Sequence, residues 1–311
     1  MTSNNSELGV TTVFSNPMTN QLGSLVASSR PVNTLADYDL LNGAAERAHQ
    51  AGLVGALWYQ CSVPRASLKE LMKRDDHHAV KDTLLWFALM LASGATMVVA
   101  WHQQSAWLWP LFFVYATLYC GPADSRWHEA SHGTAFKTRW MSSALYQVAS
   151  FMVLRRPTRW RWSHTRHHTD TLITGLDPEI AAPVPAQIFK MLANCFHLLG
   201  GPAEIKQVLL NATGQINATE KTFVPEMEWP KMIKEARVWL LIYSLVIFFA
   251  IYFQTILPLL LIGLPSFVGA WLFNFFGLTQ HAGLPENVLD HRLNCRTVLM
   301  NPIFKFLYWN M

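Results

Sequence analysis

The chain has 311 residues, of which 51% are hydrophobic and 14% are charged, with a formal net charge of +4. Soluble globular proteins carry roughly 25% charged residues, so this composition excludes an ordinary soluble domain and points to a membrane protein. The small positive balance offers no basis for nucleic-acid binding.

Residues 1–35 are rich in Ser, Thr and Asn and lack a basic start followed by an apolar core. They are expected to be a disordered tail without a cleaved signal peptide. Residues 36–82 mix short amphipathic stretches such as Ser67-Leu68-Lys69-Glu70-Leu71-Met72 and are expected to lie along the cytosolic surface. A membrane domain is expected over 83–311.

Two tracts are free of Asp, Glu, Lys and Arg: Thr83 to Ala123, 41 residues, and Val238 to Gln280, 43 residues. A helix crosses a bilayer in about 20 residues, so each tract is long enough to go over and return. The expected fold is therefore all-α, with four transmembrane helices in two hairpins and a cytosolic helical cap. The hairpins should turn near His102-Gln103-Gln104-Ser105 and near Gln254-Thr255-Ile256-Leu257-Pro258, where polar groups and a proline mark reversal. Of the 24 Lys and Arg, 7 precede Thr83, 14 fall between Pro122 and Arg237, and 3 follow His281. Neither turn holds any, so both termini and the middle segment are assigned to the cytoplasm. The host membrane would be a bacterial inner membrane or the endoplasmic reticulum.

Within the middle segment, Met141 to Leu154 and Ala186 to Leu199 are apolar but too short to span. They suit helices in the headgroup plane or packed beneath the membrane domain. Arg155, Arg156, Arg159 and Arg161, interleaved with Trp160 and Trp162, are expected to anchor the cap at the lipid interface. The four cysteines show no CxxC spacing, and a cytosolic location argues against disulfides. Two sequons, at Asn211 and Asn217, fall on the cytosolic side and are expected to be unmodified.

The chemistry is concentrated in histidines. Five of the twelve occupy His128-Glu129-Ala130-Ser131-His132 and His164-Thr165-Arg166-His167-His168. On helices, residues three and four apart share a face, so His128 pairs with His132, and His164 forms a stripe with His167 and His168. A structural zinc site takes four ligands, so five imidazoles fit two metals better. Ligating histidines need an acceptor for their second ring nitrogen. Glu129, Asp170, Asp177 and Glu179 are candidates, with Glu129 displaced by about 100° round the helix from His128. Asn274, a polar group in an apolar tract, would line a substrate tunnel, bind a metal water or make an interhelical hydrogen bond. His49, His77, His78, His102, His197 and His291 have no partner at helical spacing and are read as structural or interfacial.

Trp127 to Phe136 (WHEASHGTAF), Arg161 to Thr171 (RWSHTRHHTDT) and Thr279 to Pro285 (TQHAGLP), in this order around the two hairpins, resemble the membrane fatty acid desaturase family. The resemblance runs from about Pro64 to the C-terminus. It implies a non-haem centre of two iron ions held by His128, His132, His164, His167 and His168, with His281 as an isolated further ligand. It also implies dioxygen-dependent removal of two hydrogens from a lipid acyl chain and an external cytochrome b5-like or ferredoxin-like electron donor on the cytosolic face. The family's third histidine box would follow the fourth span, and the chain stops at Phe306-Leu307-Tyr308-Trp309-Asn310-Met311 just before it. The expectation is a truncated record whose metal site is incomplete, which the intact product would complete. A lipid hydroxylase on the same scaffold is an alternative. A zinc metalloprotease using HEASH with Glu129 as general base is another, but it leaves His164, His167 and His168 without a role. A third is a non-enzymatic membrane protein whose histidines bind metal adventitiously.

Overall fold

The computed structural model describes residues 35–41 and 43–309. The expected disordered tail, residues 1–35, lies outside the described residues except for Leu35. Among the described residues there are helices and no strands. In chain order the helices are α1 (Ala44–Gln50), α2 (Arg65–Leu71), α3 (Asp76–His102), α4 (Leu108–Ser131), α5 (Arg139–Met152), α6 (Pro157–Thr169), α7 (Ile188–Asn194) and α8 (Gly200–Ala212). They continue with α9 (Ala218–Lys221), α10 (Trp229–Tyr252), α11 (Leu257–Leu261), α12 (Leu264–Val268), α13 (Ala270–His281), α14 (His291–Asn294) and α15 (Pro302–Leu307).

Helix α3 begins where Asp75 accepts a hydrogen bond from the His77 amide, an N-cap that satisfies one orphan donor of the first turn. It stops at the polar Gln103-Gln104 pair, with Gln104 at φ 53°. The chain then returns as α4, the first hairpin, turning where the sequence predicts. Helix α4 is the hub: α3, α5, α12, α13 and α15 all pack against it. Pro122 sits inside α4 and has no amide hydrogen to give the carbonyl of Leu118. The indole Nε1 of the fully buried Trp86 donates to that carbonyl at 2.7 Å, so α3 supplies the bond the proline removes.

Two helices are long and apolar enough to cross a membrane, one within Arg65–His102 and one within Glu226–Tyr252. They correspond to α3 and α10, and both leave large apolar side chains exposed, including Leu84, Leu91, Leu241 and Ile251. The second hairpin differs from expectation. Its return leg is three short helices, α11 to α13, broken at Gly263 and at Gly269. The reason is close contact with α4. A Cβ on Gly269 would stand 1.8 Å from the Ala116 carbonyl oxygen, so only glycine allows the two backbones to meet. The Tyr115 hydroxyl donates to the Leu261 carbonyl at 2.9 Å, satisfying one acceptor left open by the breaks.

Helix α5 lays one face, including Leu145, Tyr146 and Ala149, under α4. This helix covers most of the short apolar stretch Met141 to Leu154 noted in the sequence. The expected interfacial arginines are a correction. Arg156 is buried and pairs with Glu204 of α8 at 2.9 Å and Glu220 of α9 at 2.5 Å, while donating to Asn211. Arg155 pairs with Asp124 of α4, and Arg159 and Arg161 stack over Trp160 and Tyr146. Their work is internal: they fasten the start of α6 to its neighbours. Arg126, fully buried, donates to the carbonyls of Phe306 and Leu307 and stacks on Trp86 and Trp309, holding α15 against α4.

Candidate metal centre

The first histidine pair comes from the end of α4, beyond Pro122. His128 lies in the last turn and His132 is the C-cap. The second group comes from α6. Pro157 opens that helix at N1, and the Glu235 carboxylate of α10 caps it, accepting from the Thr158 amide and hydroxyl at 2.9 Å each. Helix α6 is thereby fixed at its start by α10 and, through Arg156, by α8 and α9.

The two helices bring four imidazoles together. One ring nitrogen from each of His128, His132, His164 and His168 lies within 4.8 Å of the others. Ring centroids of His128 and His164 are 4.6 Å apart, those of His132 and His168 4.7 Å, and the Nε2 atoms of His164 and His168 approach to 3.1 Å. His167 faces away from this cluster toward His281 at the end of α13, with centroids 5.2 Å apart. The expected set thus forms a group of four and a neighbouring pair.

The acceptors decide which nitrogen is free. His164 Nδ1 donates to Glu179 Oε2 at 2.8 Å, and His167 Nδ1 donates to Asp177 Oδ2 at 2.8 Å. His128 Nδ1 donates to Glu129 Oε1 at 3.0 Å, and His281 Nδ1 to the Asn294 carbonyl at 2.8 Å. An ionised carboxylate or a carbonyl only accepts, so the proton sits on Nδ1 and the Nε2 lone pair is left for a metal. Glu129 therefore reaches its neighbour despite the angular offset. Asp170 does not join: it pairs with Arg166 at 3.4 Å, one turn back on the solvent side of α6.

The loop after α6 makes this possible. It folds back at Leu172, φ 56°, and Gly175, φ 79°, where a Cβ would stand 2.4 Å from the Ala44 backbone. Asp177 then accepts from the amides of Leu172 and Glu179 as well as from His167, so the carboxylate that orients the histidine is itself fixed. Glu179 accepts from the Ser163 hydroxyl too. Burial raises the Glu179 carboxyl, but the hydrogen bond and charge of His164 outweigh it and hold the group at about 2.

Burial, with the charge of neighbouring imidazoles, lowers His132 to about 4 and His168 to about 3. Their outer edges reach solvent, yet the rings stay neutral at physiological pH, which is the ligating form. Burial also lowers His164. At His167 burial opposes the charge, but the bond to Asp177 prevails and its pKa is raised. Imidazoles whose Nδ1 is held by an acceptor, as at His128, His164, His167 and His281, fit a transition metal, and iron among them.

A cavity of about 350 Å³ runs beside the histidines. Its wall includes His128, His164, His167 and His281, together with Trp127, Met191, Phe273, Leu278 and the Asp124–Arg155 pair. Asn274 lines it and donates to the Asn194 carbonyl of the α7 segment at 2.9 Å, which is the interhelical hydrogen bond among the roles considered for it. The other histidines stay outside the cluster. His197 is packed against Phe273, and His291 stacks on Trp58 with centroids 4.4 Å apart. Asn294 escaped the sequence reading. Fully buried, it ties His281 to the Thr171 carbonyl, and nothing in its neighbourhood of sequence marked it.

No curated protein is found to match the chain. A family model described as fatty acid desaturase matches residues 104–311, which include every histidine of the cluster and of the His167–His281 pair. With two thirds of its length matched, the chain belongs to the fatty acid desaturase family.

Proposed function

We propose that the protein is an iron- and dioxygen-dependent desaturase that introduces a double bond into a lipid acyl chain. The observation that carries this reading is the convergence of His128, His132, His164 and His168, of which His128 and His164 line a partly apolar cavity. That cavity falls within the 300–1,000 Å³ or so usual for small-molecule sites. The His167–His281 pair beside the four gives a second place for a metal, which supports two iron ions over one.

Bound iron would supply activation of dioxygen and abstraction of hydrogen from an unactivated carbon. The chain's own residues do the rest. Glu129, Asp177, Glu179 and the Asn294 carbonyl hold the imidazoles in register. Trp127, Met191, Phe273 and Leu278 provide apolar wall against which a methylene run binds and from which water is displaced. The overall reaction removes two hydrogens from adjacent carbons and forms the double bond. Dioxygen takes up those two hydrogens, two further protons and two electrons to give two waters. The electrons must come from outside, from a cytochrome b5-like or ferredoxin-like donor at the cytosolic face. The histidines then lie at the cytosolic edge of a four-span domain, with α4 and the broken α11–α13 leg as its two further spans.

Expression in a host supplying a reducing partner, followed by mass spectrometry of the lipids, tests the reading. Loss of two hydrogens from an acyl chain is expected. Gain of one oxygen instead would make the protein a hydroxylase on the same scaffold, and unchanged lipids from iron-loaded protein would overturn both. A zinc protease built on HEASH does not account for His164 and His168 standing in the same cluster as His128 and His132.

A further inference from the structure

Helix α7 is unlike its neighbours. None of its seven residues is buried, and the segment exposes Ile188, Phe189, Leu192, Phe196, Leu198 and Leu199, with Phe189 89% exposed. Between Glu179 and Glu204 the chain has a single formal charge, Lys190, which sits among these side chains. An exposed apolar surface with one basic head and no acid suits the acyl and phosphate boundary of a bilayer.

The other side of the same short helix lines the cavity. Met191 and Asn194 face Phe273, Asn274, Gly277 and Leu278 of α13 across it. One hydrogen bond, Asn274 Nδ2 to the Asn194 carbonyl, links the two elements here. Gly277 adds an independent sign. A Cβ there would meet nothing within 4 Å, so protein packing does not require a glycine. A glycine in mid-helix is less favourable than alanine, and at Gly277 what it leaves is width in the cavity wall.

We propose that α7 is a lateral gate, through which a lipid resident in the bilayer passes its acyl chain between α7 and α13 to reach the histidines. The substrate is then a membrane lipid and not an acyl group delivered on a soluble carrier. The inference rests on the desaturase reading for what happens to the chain, but not for how the chain enters.

Full-length protein in phosphatidylcholine vesicles doped with phosphatidylcholine bearing a diazirine on an acyl carbon is illuminated, digested and mapped by mass spectrometry. Adducts are expected both on residues 188–199 and on residues 273–284. Gly277→Leu, which has room to fold, should lose the adducts on 273–284 and keep those on 188–199. Adducts confined to the outer faces of α3 and α10 would overturn the gate. So would labelling of 273–284 by a diazirine acyl-coenzyme A but not by the lipid, or capture of α7 by a protein partner in place of lipid. The labelling needs neither iron nor reductant. Adducts without any lipid oxidation would sink the desaturase reading and spare the gate, whereas desaturated lipid without adducts would do the reverse.

Discussion

The Nδ1 atom of His167 stands 2.8 Å from Oδ2 of Asp177, and that same oxygen accepts the amide of Leu172 at 2.8 Å. A loop carboxylate, held by its own backbone, thus sets the orientation of a helix histidine ten residues earlier. Replacing Asp177 by Asn removes the charge and keeps the shape. Iron affinity is expected to fall roughly tenfold to a hundredfold, the usual effect of losing a ligand's hydrogen-bond partner. Equilibrium iron binding to the purified protein measures it, and unchanged affinity would show that Asp177 serves the loop alone.

Glu129 separates two chemistries. As the partner of His128 Nδ1 its loss should weaken metal binding, so Glu129→Gln is expected to lower turnover by about tenfold without abolishing it. A protease using Glu129 as general base would lose essentially all activity. Rates at saturating iron decide between them.

Arg156 is a buried cation shared between Glu204 and Glu220. Truncation to Ala would strand two carboxylates in the interior, at a cost of ~3–5 kcal/mol. Thermal unfolding in detergent should show the loss. Lys73→Ala, which breaks an exposed pair with Glu70, should shift the midpoint little, because surface pairs contribute ~0–1 kcal/mol.

Two glycines in the return leg should respond in opposite ways. Gly269→Ala drives a methyl into the Ala116 carbonyl and is expected to destabilise by about 1–3 kcal/mol or more, since backbone cannot step aside as a side chain would. Gly277→Ala meets open space and should be neutral or stabilising by up to about 1 kcal/mol. Matched denaturation curves test the pair.

The segment before α1 docks through Tyr38, whose hydroxyl donates to Glu286 at 2.8 Å and accepts from the Val184 amide at 2.7 Å. Burial raises the Glu286 carboxyl above its ordinary 4.5, against the opposing effect of the Tyr38 bond. A carboxyl with a raised folded pKa binds its proton more tightly when docked. Docking should therefore be fully supported below pH 4.5 and weaken as pH rises through the raised value. Hydrogen exchange over residues 35–60 at a series of pH values should show faster exchange at the upper end. Glu286→Gln should flatten the profile, and a wild-type profile that is already flat would contradict this account.

Much of the centre was legible in the sequence because its determinants are local. The i, i+4 spacing of His128 and His132 and the stripe from His164 fix which nitrogens can share a face once helices form, and long uncharged tracts announce where helices meet lipid. What the sequence could not rank were contacts made across the fold. Asp170, Asp177 and Glu179 were equal candidates by proximity. Only the reversal at Leu172 and Gly175 aims the latter two at His167 and His164 and leaves Asp170 with Arg166. The arginines of 155–161 read as an interfacial patch because basic and aromatic residues favour that depth. Their burial depends on Asp124, Glu204 and Glu220, up to 64 residues away in the chain, whose charges repay the desolvation.

By itself, then, the sequence determined that the protein is helical, apolar and furnished with grouped imidazoles, since periodicity and composition act over a few turns. Tertiary structure alone decided that four of those imidazoles form one cluster while His167 turns to His281. It also decided that the second hairpin returns as broken helices. Both outcomes follow from close packing around α4, where a glycine, a proline and a shared carbonyl set how near the helices approach.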